Sequence, residues 1–331
     1  MRPLSRLRLL LAAPLLLASC AATPATSATG NAPSSPAASG SCPSAPDPGI
    51  PAGWGPPSTA PSLVPVLINS SAEMTCGANR LLFIFLDAKT NTPVGDPKRT
   101  VKVAFYNLGR DVAKPVTTTD TSFVWAIENE RGDYIAPVTF AEAGVWGAEI
   151  ATQTPGGQPE TIRLSFQVSA TSRVVHVGQK APATRTPTLR DVGGDIARIS
   201  TDTAPIKALY ETSVADAIAA HEPFLVAFAT PRFCKTAQCG PTLDRLKPWV
   251  AKYPSVKFIH VEPYKLTFED GQLQPVLTGD PPDLTATEAT EQWGLVSEPF
   301  IFVVDRDGAV RSSLELIFSD AEIKAALDAV K

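Results

Sequence analysis

The chain is poor in the residue types that would mark a metal centre or a nucleic-acid-binding surface. Its 331 residues include three histidines and five cysteines, and no histidine follows His260. Basic residues do not predominate, since 29 Lys and Arg face 33 Asp and Glu and the formal charge is −4. This balance argues against a nucleic-acid partner. No metal or organic cofactor is expected.

Long apolar runs are also missing after the N-terminus. The run from Leu9 to Leu17 is too short to span a bilayer stably; it follows three arginines and precedes Leu17-Ala-Ser-Cys20. This segment resembles a bacterial lipoprotein signal. The resemblance implies that residues 1–19 are removed, that Cys20 carries lipid, and that the chain is anchored outside the cytoplasmic membrane, or on the outer membrane of a two-membrane cell. An ordinary secretory signal is the alternative.

Residues 20–61 lack charge almost completely, and Asp47 is the one charged residue in that stretch. They consist mainly of Ala, Pro, Ser, Thr and Gly. Such a composition cannot bury enough apolar surface to fold by itself. We therefore expect a disordered tether between the membrane and the folded regions.

If the chain is exported, its cysteines can form disulfides, because disulfides persist outside the cytosol. With Cys20 assigned to lipid, four cysteines remain and three pairings are possible. Their spacing favours Cys234 with Cys239 and Cys42 with Cys76. The second bond would be structural, closing a loop of about 35 residues worth on the order of 3–4 kcal/mol.

Residues 62–170 contain short apolar runs separated by turn residues, which predicts an all-β immunoglobulin-like sandwich. The predicted strands are Leu63–Ile68, Arg80–Leu86, Thr100–Tyr106, Ser122–Ile127, Gly144–Ala151 and Thr161–Val168. Trp146 is expected in the core. No cluster of His, Cys or carboxylates in this region has metal-ligand spacing.

Residues 173–331 alternate between strand and helix patterns and end in a hairpin, which predicts an α/β domain with a mixed sheet. The predicted elements are a helix at Ser213–His221, a strand at Phe224–Ala229, a helix at Pro241–Lys252, a strand at Val256–Val261, a helix at Thr285–Trp293, strands at Phe300–Val304 and Ala309–Leu316, and a helix at Asp320–Lys331. Asp320 is the predicted N-cap of the last helix.

Cys234 and Cys239 lie where the strand at Phe224–Ala229 gives way to a helix. Helix N-terminal amides stabilise a thiolate, the form of cysteine that attacks disulfides or peroxides. Lys235 and Arg232 could add Coulomb attraction. The alternatives are a structural disulfide or two idle thiols.

The second domain resembles the thioredoxin-like fold. The likeness rests on the order of elements, on Val177-Gly-Gln-Lys-Ala-Pro182, on the cysteines after a buried strand, and on Ser297-Glu298-Pro299 before the next strand. It implies a cis peptide bond before Pro299, and that Pro299 helps to bind a partner's backbone. Thioredoxins have two residues between their cysteines, whereas this chain has four.

Two alignments of the cysteines remain open. In the first, Cys234 is the exposed nucleophile and Cys239 resolves the mixed disulfide. In the second, Cys239-Gly-Pro-Thr242 matches the thioredoxin Cys-Gly-Pro-Cys, so that Cys239 is the nucleophile and Thr242 replaces the second cysteine. The aromatic-cysteine pair Phe233-Cys234 favours the first.

Two other thioredoxin-fold families remain lesser alternatives. Thiol peroxidases carry Pro-x-x-x-Thr-x-x-Cys, which Pro231 and Thr236 match imperfectly, with Arg306 or Arg311 as the candidate arginine. Copper chaperones need a distant histidine, and His260 comes too early in the domain.

The sequence thus predicts a multidomain chain whose Cys234 and Cys239 act as a membrane-anchored thiol–disulfide oxidoreductase. Its partners would be thiols or disulfides of exported proteins and a redox recycling partner. The main rival is a non-catalytic surface binding or assembly protein in which the Cys234–Cys239 bond is structural.

Overall fold

A computed structural model describes residues 42–49, 51–55, 61–69 and 74–331. The predicted leader, the lipidation site at Cys20 and most of the tether lie outside the described residues. Among the residues described, no helix combines the length and apolarity needed to cross a membrane. The chain is mostly β-structure arranged in several sheets.

Residues 63–168 form two four-stranded antiparallel sheets around one core. The strands are β1 (Leu63–Leu67), β2 (Gly77–Asp87), β3 (Thr100–Asn107), β4 (Thr117–Asp120), β5 (Ser122–Ile127), β6 (Arg131–Phe140), β7 (Gly144–Gln153) and β8 (Glu160–Val168). Their orders are β1-β2-β6-β5 and β4-β3-β7-β8. Phe83 and Phe85 of β2 enter this core together with Trp146 of β7, which confirms that Trp146 is a core residue.

Two of these strands, β4 and β6, are absent from the sequence prediction. β6 contains Gly132, Asp133 and Pro137, and these residue types are depleted in strands. It forms nevertheless because it pairs with β2 on one side and β5 on the other. Tertiary pairing therefore overrides local propensity at this position.

Residues 214–328 form a four-stranded mixed sheet with helices on both faces. The elements are α1 (Val214–Ala219), β9 (Phe224–Phe228), α2 (Cys239–Val250), β10 (Lys257–Val261), β11 (Leu266–Glu269), β12 (Gln272–Pro275), β13 (Leu277–Thr278), β14 (Asp283–Leu284), α3 (Glu288–Gln292), β15 (Phe300–Val304), β16 (Val310–Glu315) and α4 (Asp320–Asp328). The sheet order is β10-β9-β15-β16. β9 and β10 are parallel, whereas β15 runs antiparallel to β9 and β16 antiparallel to β15.

Strand β9 is buried along its whole length because both faces of the sheet are covered. Leu225 and Ala227 share a core with residues of α2 and α4. Phe224, Val226 and Phe228 share a second core with residues of α1 and α3. The mixed sheet predicted for this region is confirmed, and its central strand leads directly into the cysteine loop.

Three local predictions need correction. Helix α2 begins at Cys239, earlier than the predicted start at Pro241. Helix α4 is capped by Ser319, not Asp320, because Ser319 and Glu322 form a reciprocal capping box. Residues 266–284 form two hairpins that the pattern did not predict; Asp270-Gly271, both with positive φ, is the overlooked hairpin signal between β11 and β12.

The first region (residues 63–168) and the second region (residues 214–328) pack against each other through a contact that is partly apolar and partly polar. Leu82 and Ile135 of the first region bury with Leu316 and Ile317 of the second. Beside them, the Arg80 guanidinium donates to the Glu322 carboxylate at 2.5 Å and to the backbone carbonyls of residues 315 and 317. This contact lies beside the N-terminal end of α2, because the Thr242 hydroxyl of α2 donates to the Leu316 carbonyl at 2.8 Å.

Candidate functional site

The candidate site is the loop that joins β9 to α2 and contains the Cys234–Cys239 disulfide. The two Cα atoms are 6.0 Å apart. Gln238 precedes the helix without capping it by its side chain. Instead, the backbone N–H of Cys239 donates to Cys234 Sγ at 3.2 Å. A sulfur therefore accepts one of the amide hydrogens that a helix start leaves unpaired.

The two sulfurs of this pair differ in accessibility. Cys239 is fully buried in the core under α2, whereas Cys234 is half-buried. The hydroxyl of Thr236 lies 3.3 Å from Cys234 Sγ. The Cys239 amide thus donates to the sulfur that a partner could reach, and the Thr236 hydroxyl, whose hydrogen goes to the Glu298 carbonyl, lies beside that sulfur.

A buried carboxylate lies beside the disulfide. Glu298 is only 3% exposed, and one of its oxygens lies in a cluster with the sulfurs of Cys234 and Cys239 in which all three atoms are within 4.8 Å of one another. The carboxylate accepts the backbone N–H of Lys235 at 2.8 Å and the hydroxyl of Tyr264 at 2.5 Å. From the sequence, Glu298 is expected only to tune partner choice by its charge beside Pro299, and its contact with the sulfurs is not predicted.

Pro299 directly precedes β15. The Glu298–Pro299 bond is cis, as predicted. The Glu298 carbonyl accepts the Thr236 hydroxyl at 2.9 Å, which ties this segment to the loop. Pro299 itself is buried, and its carbonyl accepts the N–H of Leu316 at 2.8 Å.

Tyr264 keeps the Glu298 carboxylate oriented. Burial, followed by the neighbouring Glu298 carboxylate, raises the pKa of Tyr264 well above its ordinary value. The phenol therefore stays protonated and can donate to Glu298 throughout the physiological pH range. The site thus holds a fixed acceptor next to two sulfurs.

The basic side chains expected to hold a thiolate have other partners. Lys235 pairs with Asp283 at 2.8 Å, and this contact lowers the pKa of Asp283. Arg232 donates to Gln272 at 2.7 Å. Both bonds reach the hairpins of residues 266–284, so these cations position the hairpins beside the site. Exposed pairs of this kind contribute little to stability.

A second buried carboxylate reaches the loop from the first region. Asp133 of β6 is fully buried, with Arg131 at 3.2 Å and the Gln238 side-chain amide at 3.2 Å. Burial raises the pKa of Asp133 to about 6, against the opposing effect of the Arg131 charge. The Gln238 side-chain oxygen is buried without a hydrogen-bond partner. The residue before Cys239 is therefore held by a group that the sequence alone could not place there.

The residues singled out for the two lesser alternatives lie elsewhere or have other partners. Arg306 and Arg311 belong to the β15–β16 turn and its flank, at the opposite end of β15 from Pro299. Arg311 pairs with Asp305 at 2.5 Å. His260 uses both ring nitrogens, one with the Tyr210 hydroxyl at 2.8 Å and one with the Ala229 carbonyl at 2.9 Å.

The predicted second disulfide is confirmed as well. Cys42 and Cys76 are bonded, with 5.9 Å between their Cα atoms. The bond joins the segment before β1 to the start of β2, and the amide of Cys42 donates to the Ala170 carbonyl at 3.3 Å. It therefore holds this segment against the first region, where Trp54 is buried beside Tyr106, so the described residues 42–49 and 51–55 do not show the disorder predicted for residues 20–61.

No protein-family model matches the chain, and no curated protein is detectably similar to it in sequence. Among solved structures, FetP of uropathogenic Escherichia coli strain F11 aligns with 14% identity over 35% of this chain and 95% of FetP, at a TM-score of 0.24. A copper-bound variant of the same protein aligns with 13% identity over 32% of this chain and 86% of that one, at a TM-score of 0.22. Scores this low carry no argument about fold or function.

Proposed function

We propose that the chain is an exported thiol–disulfide oxidoreductase that acts through Cys234 and Cys239. The observation that carries the proposal is the asymmetry of the pair. Cys234 is accessible and receives the first amide hydrogen of α2, whereas Cys239 is buried behind it. An amide at a helix N-terminus lowers the pKa of a nearby thiol, which makes Cys234 the better nucleophile.

The arrangement of elements supports a thioredoxin-like assignment for the second region. The cysteines follow a central buried strand and open a helix, and Pro299 precedes the neighbouring strand β15. The two facing sheets of residues 63–168 support an immunoglobulin-like assignment for the first region. Both assignments belong to the proposal, together with the domain limits 62–170 and 173–331.

In the proposed reaction, the Cys234 thiolate attacks one sulfur of a substrate disulfide. A bond forms between Cys234 and the substrate, the substrate S–S bond breaks, and the other substrate cysteine leaves as a thiolate. Cys239 then gives its proton to the Glu298 carboxylate and attacks Cys234. The enzyme disulfide closes, the second substrate cysteine leaves, and two electrons have passed to the substrate.

The reverse sequence oxidises a substrate dithiol by the same two exchanges. Its direction is set by a recycling partner, which supplies or removes the two electrons. The proposal also places the chain outside the cytoplasm on a lipid anchor at Cys20, on the strength of the leader pattern alone. Mass measurement of the mature N-terminus tests the anchor.

The deciding experiment is a glutathione titration of the purified full chain, followed by thiol alkylation and peptide mapping. We expect Cys234–Cys239 to show a reduction potential between about −280 and −120 mV. Cys239→Ser should trap a mixed disulfide with substrate on Cys234, and Cys234→Ser should abolish exchange. A Cys234–Cys239 bond that glutathione cannot reduce would leave the rival, a binding or assembly protein with a structural bond.

A further inference from the structure

We propose that the reduced form of this site binds a thiophilic divalent cation, with Cys234, Cys239 and Glu298 as ligands and Zn²⁺ as the probe ion. The proposal deepens the proposed function, since it rests on the dithiol state that thiol–disulfide exchange requires. Metal binding and exchange would exclude each other, because both use the two sulfurs. The cation would therefore mask the nucleophile.

The three ligand atoms lie almost as close to one another as the ligands of one metal ion do. The two sulfurs and a Glu298 carboxylate oxygen lie within 4.8 Å of one another. Tetrahedral zinc with Zn–S near 2.3 Å and Zn–O near 2.1 Å separates its ligands by about 3.5–3.8 Å. Breaking the S–S bond frees the sulfurs to move apart to that spacing while the carboxylate stays in place.

The carboxylate is held as metal-binding carboxylates commonly are. It accepts hydrogen bonds from the Lys235 amide and from the Tyr264 hydroxyl, and both groups act as donors to it. Glu298 is buried, so no water competes strongly for its oxygens. Outer partners of this kind fix the orientation of a ligating carboxylate.

The charges also fit a dication. Two thiolates and one carboxylate carry three negative charges, which a buried dithiol site could not hold unpaired. Binding converts two thiols and M²⁺ into a metal dithiolate with release of two protons. Three protein ligands leave a fourth position, and the half-buried side of Cys234 is where water or a small thiol would enter.

The test uses the full chain reduced with a phosphine, which supplies the two electrons and is then removed without air. Zn²⁺ is titrated in competition with a chromophoric chelator, and Co²⁺ replaces it as a spectroscopic probe. We expect one equivalent bound, thiolate-to-cobalt charge-transfer absorption, and protection of Cys234 and Cys239 from alkylation. Cys234→Ser or Cys239→Ser should abolish all three signals.

Two glutamate variants make the assignment specific. Glu298→Gln should weaken the affinity for Zn²⁺ by about tenfold or more, since loss of even an outer partner of a metal ligand typically costs about 10–100-fold. Glu262→Gln is the matched control, because Glu262 is also buried and also accepts one backbone N–H and one hydroxyl, both from Thr201. We expect no change of affinity in that variant.

X-ray absorption at the zinc edge covers the case in which Glu298→Gln fails to fold. The unaltered protein should show two sulfur ligands with oxygen completing the shell. Four sulfurs, no sulfur, or an unchanged affinity in a folded Glu298→Gln would overturn the proposal. A chain that exchanges disulfides and binds no Zn²⁺ would overturn the metal site and keep the proposed function. A chain that binds Zn²⁺ and does not exchange disulfides would overturn the proposed function and keep the metal site.

Discussion

The two disulfide bonds of this protein span nearly the same distance and lie in unlike surroundings. The Cα atoms are 5.9 Å apart in Cys42–Cys76 and 6.0 Å apart in Cys234–Cys239. The first bond closes a sequence separation of 34 residues, and the second closes one of 5. Loop closure therefore gives the first bond the larger effect on the unfolded chain.

The surroundings favour chemistry at Cys234–Cys239 over chemistry at Cys42–Cys76. Cys234 and Cys239 have a helix start, a buried carboxylate and a hydroxyl within reach, whereas Cys42 lies near the Ser169 carbonyl, which can only accept. The same covalent bond is thus suited to stability in one region and to chemistry in the other. What distinguishes them is the set of neighbours that could stabilise a thiolate or take its proton.

The largest expected effect comes from removing the first bond. Cys42→Ala with Cys76→Ala should lower the free energy of unfolding by about 3–4 kcal/mol, because the unfolded chain regains the entropy of a 34-residue loop. Denaturant unfolding of the full chain measures it. Thiol–disulfide exchange at Cys234–Cys239 should keep its rate in the folded variant. A parallel loss of exchange would show that the two bonds are not independent.

The next effect concerns how the free energy of unfolding depends on pH through Asp133, which contacts Gln238 between the two regions. The pKa of Asp133 is raised from 3.8 to about 6, so the buried carboxyl favours folding fully below pH 3.8, and that contribution is lost as the pH rises through 6. The difference between the free energies of unfolding of Asp133→Asn and of the unaltered protein should therefore change by about 2 kcal/mol between pH 4 and pH 7, with the variant favoured at the higher pH.

Asp283→Asn is the control for this prediction. The Lys235 contact lowers the pKa of Asp283, so its contribution to stability is present at neutral pH and lost in acid. The small pH-dependent difference in that variant should have the opposite sign. If the difference in free energy of unfolding between Asp133→Asn and the unaltered protein did not change with pH, the Asp133 carboxyl would be solvated in the folded protein.

The smallest of the three effects tests whether the buried Glu298 carboxylate accepts the Cys239 proton during disulfide exchange. Glu298→Gln should slow disulfide exchange on the order of 10–100-fold, because Cys239 loses its proton acceptor. Stopped-flow kinetics with a peptide disulfide measures the rate, and the loss should shrink as rising pH deprotonates Cys239 without help. Glu262→Gln should react at the unaltered rate. An equal loss at every pH would indicate a structural effect of the substitution.

The alternation of strands and helices could be predicted from the sequence because it depends on local apolar pattern. β5 and β15 begin and end at the predicted residues, and the other predicted strands begin within three residues of their predicted starts. Strand β6 was missed because Gly132, Asp133 and Pro137 disfavour a strand locally, and only its two neighbours make it one. Its pairing is a long-range property.

The cysteine pair could likewise be predicted, since its spacing and its place between a strand and a helix are local. The partners of the pair could not. Glu298 contacts Lys235 across 63 residues of sequence, and Asp133 contacts Gln238 across 105. Tyr264 comes from a loop whose hairpins the apolar pattern did not indicate.

By itself, the sequence indicated the favoured pairing of Cys42 with Cys76 and Cys234 with Cys239 and the order of the main elements. Each of these follows from composition or from short-range spacing. Only the tertiary structure decided that Cys234 is the accessible sulfur, that Glu298 is the buried acceptor beside it, and that the first region adds Asp133. Burial and charge environment depend on what packs around a residue, and in this protein those neighbours come from distant parts of the chain.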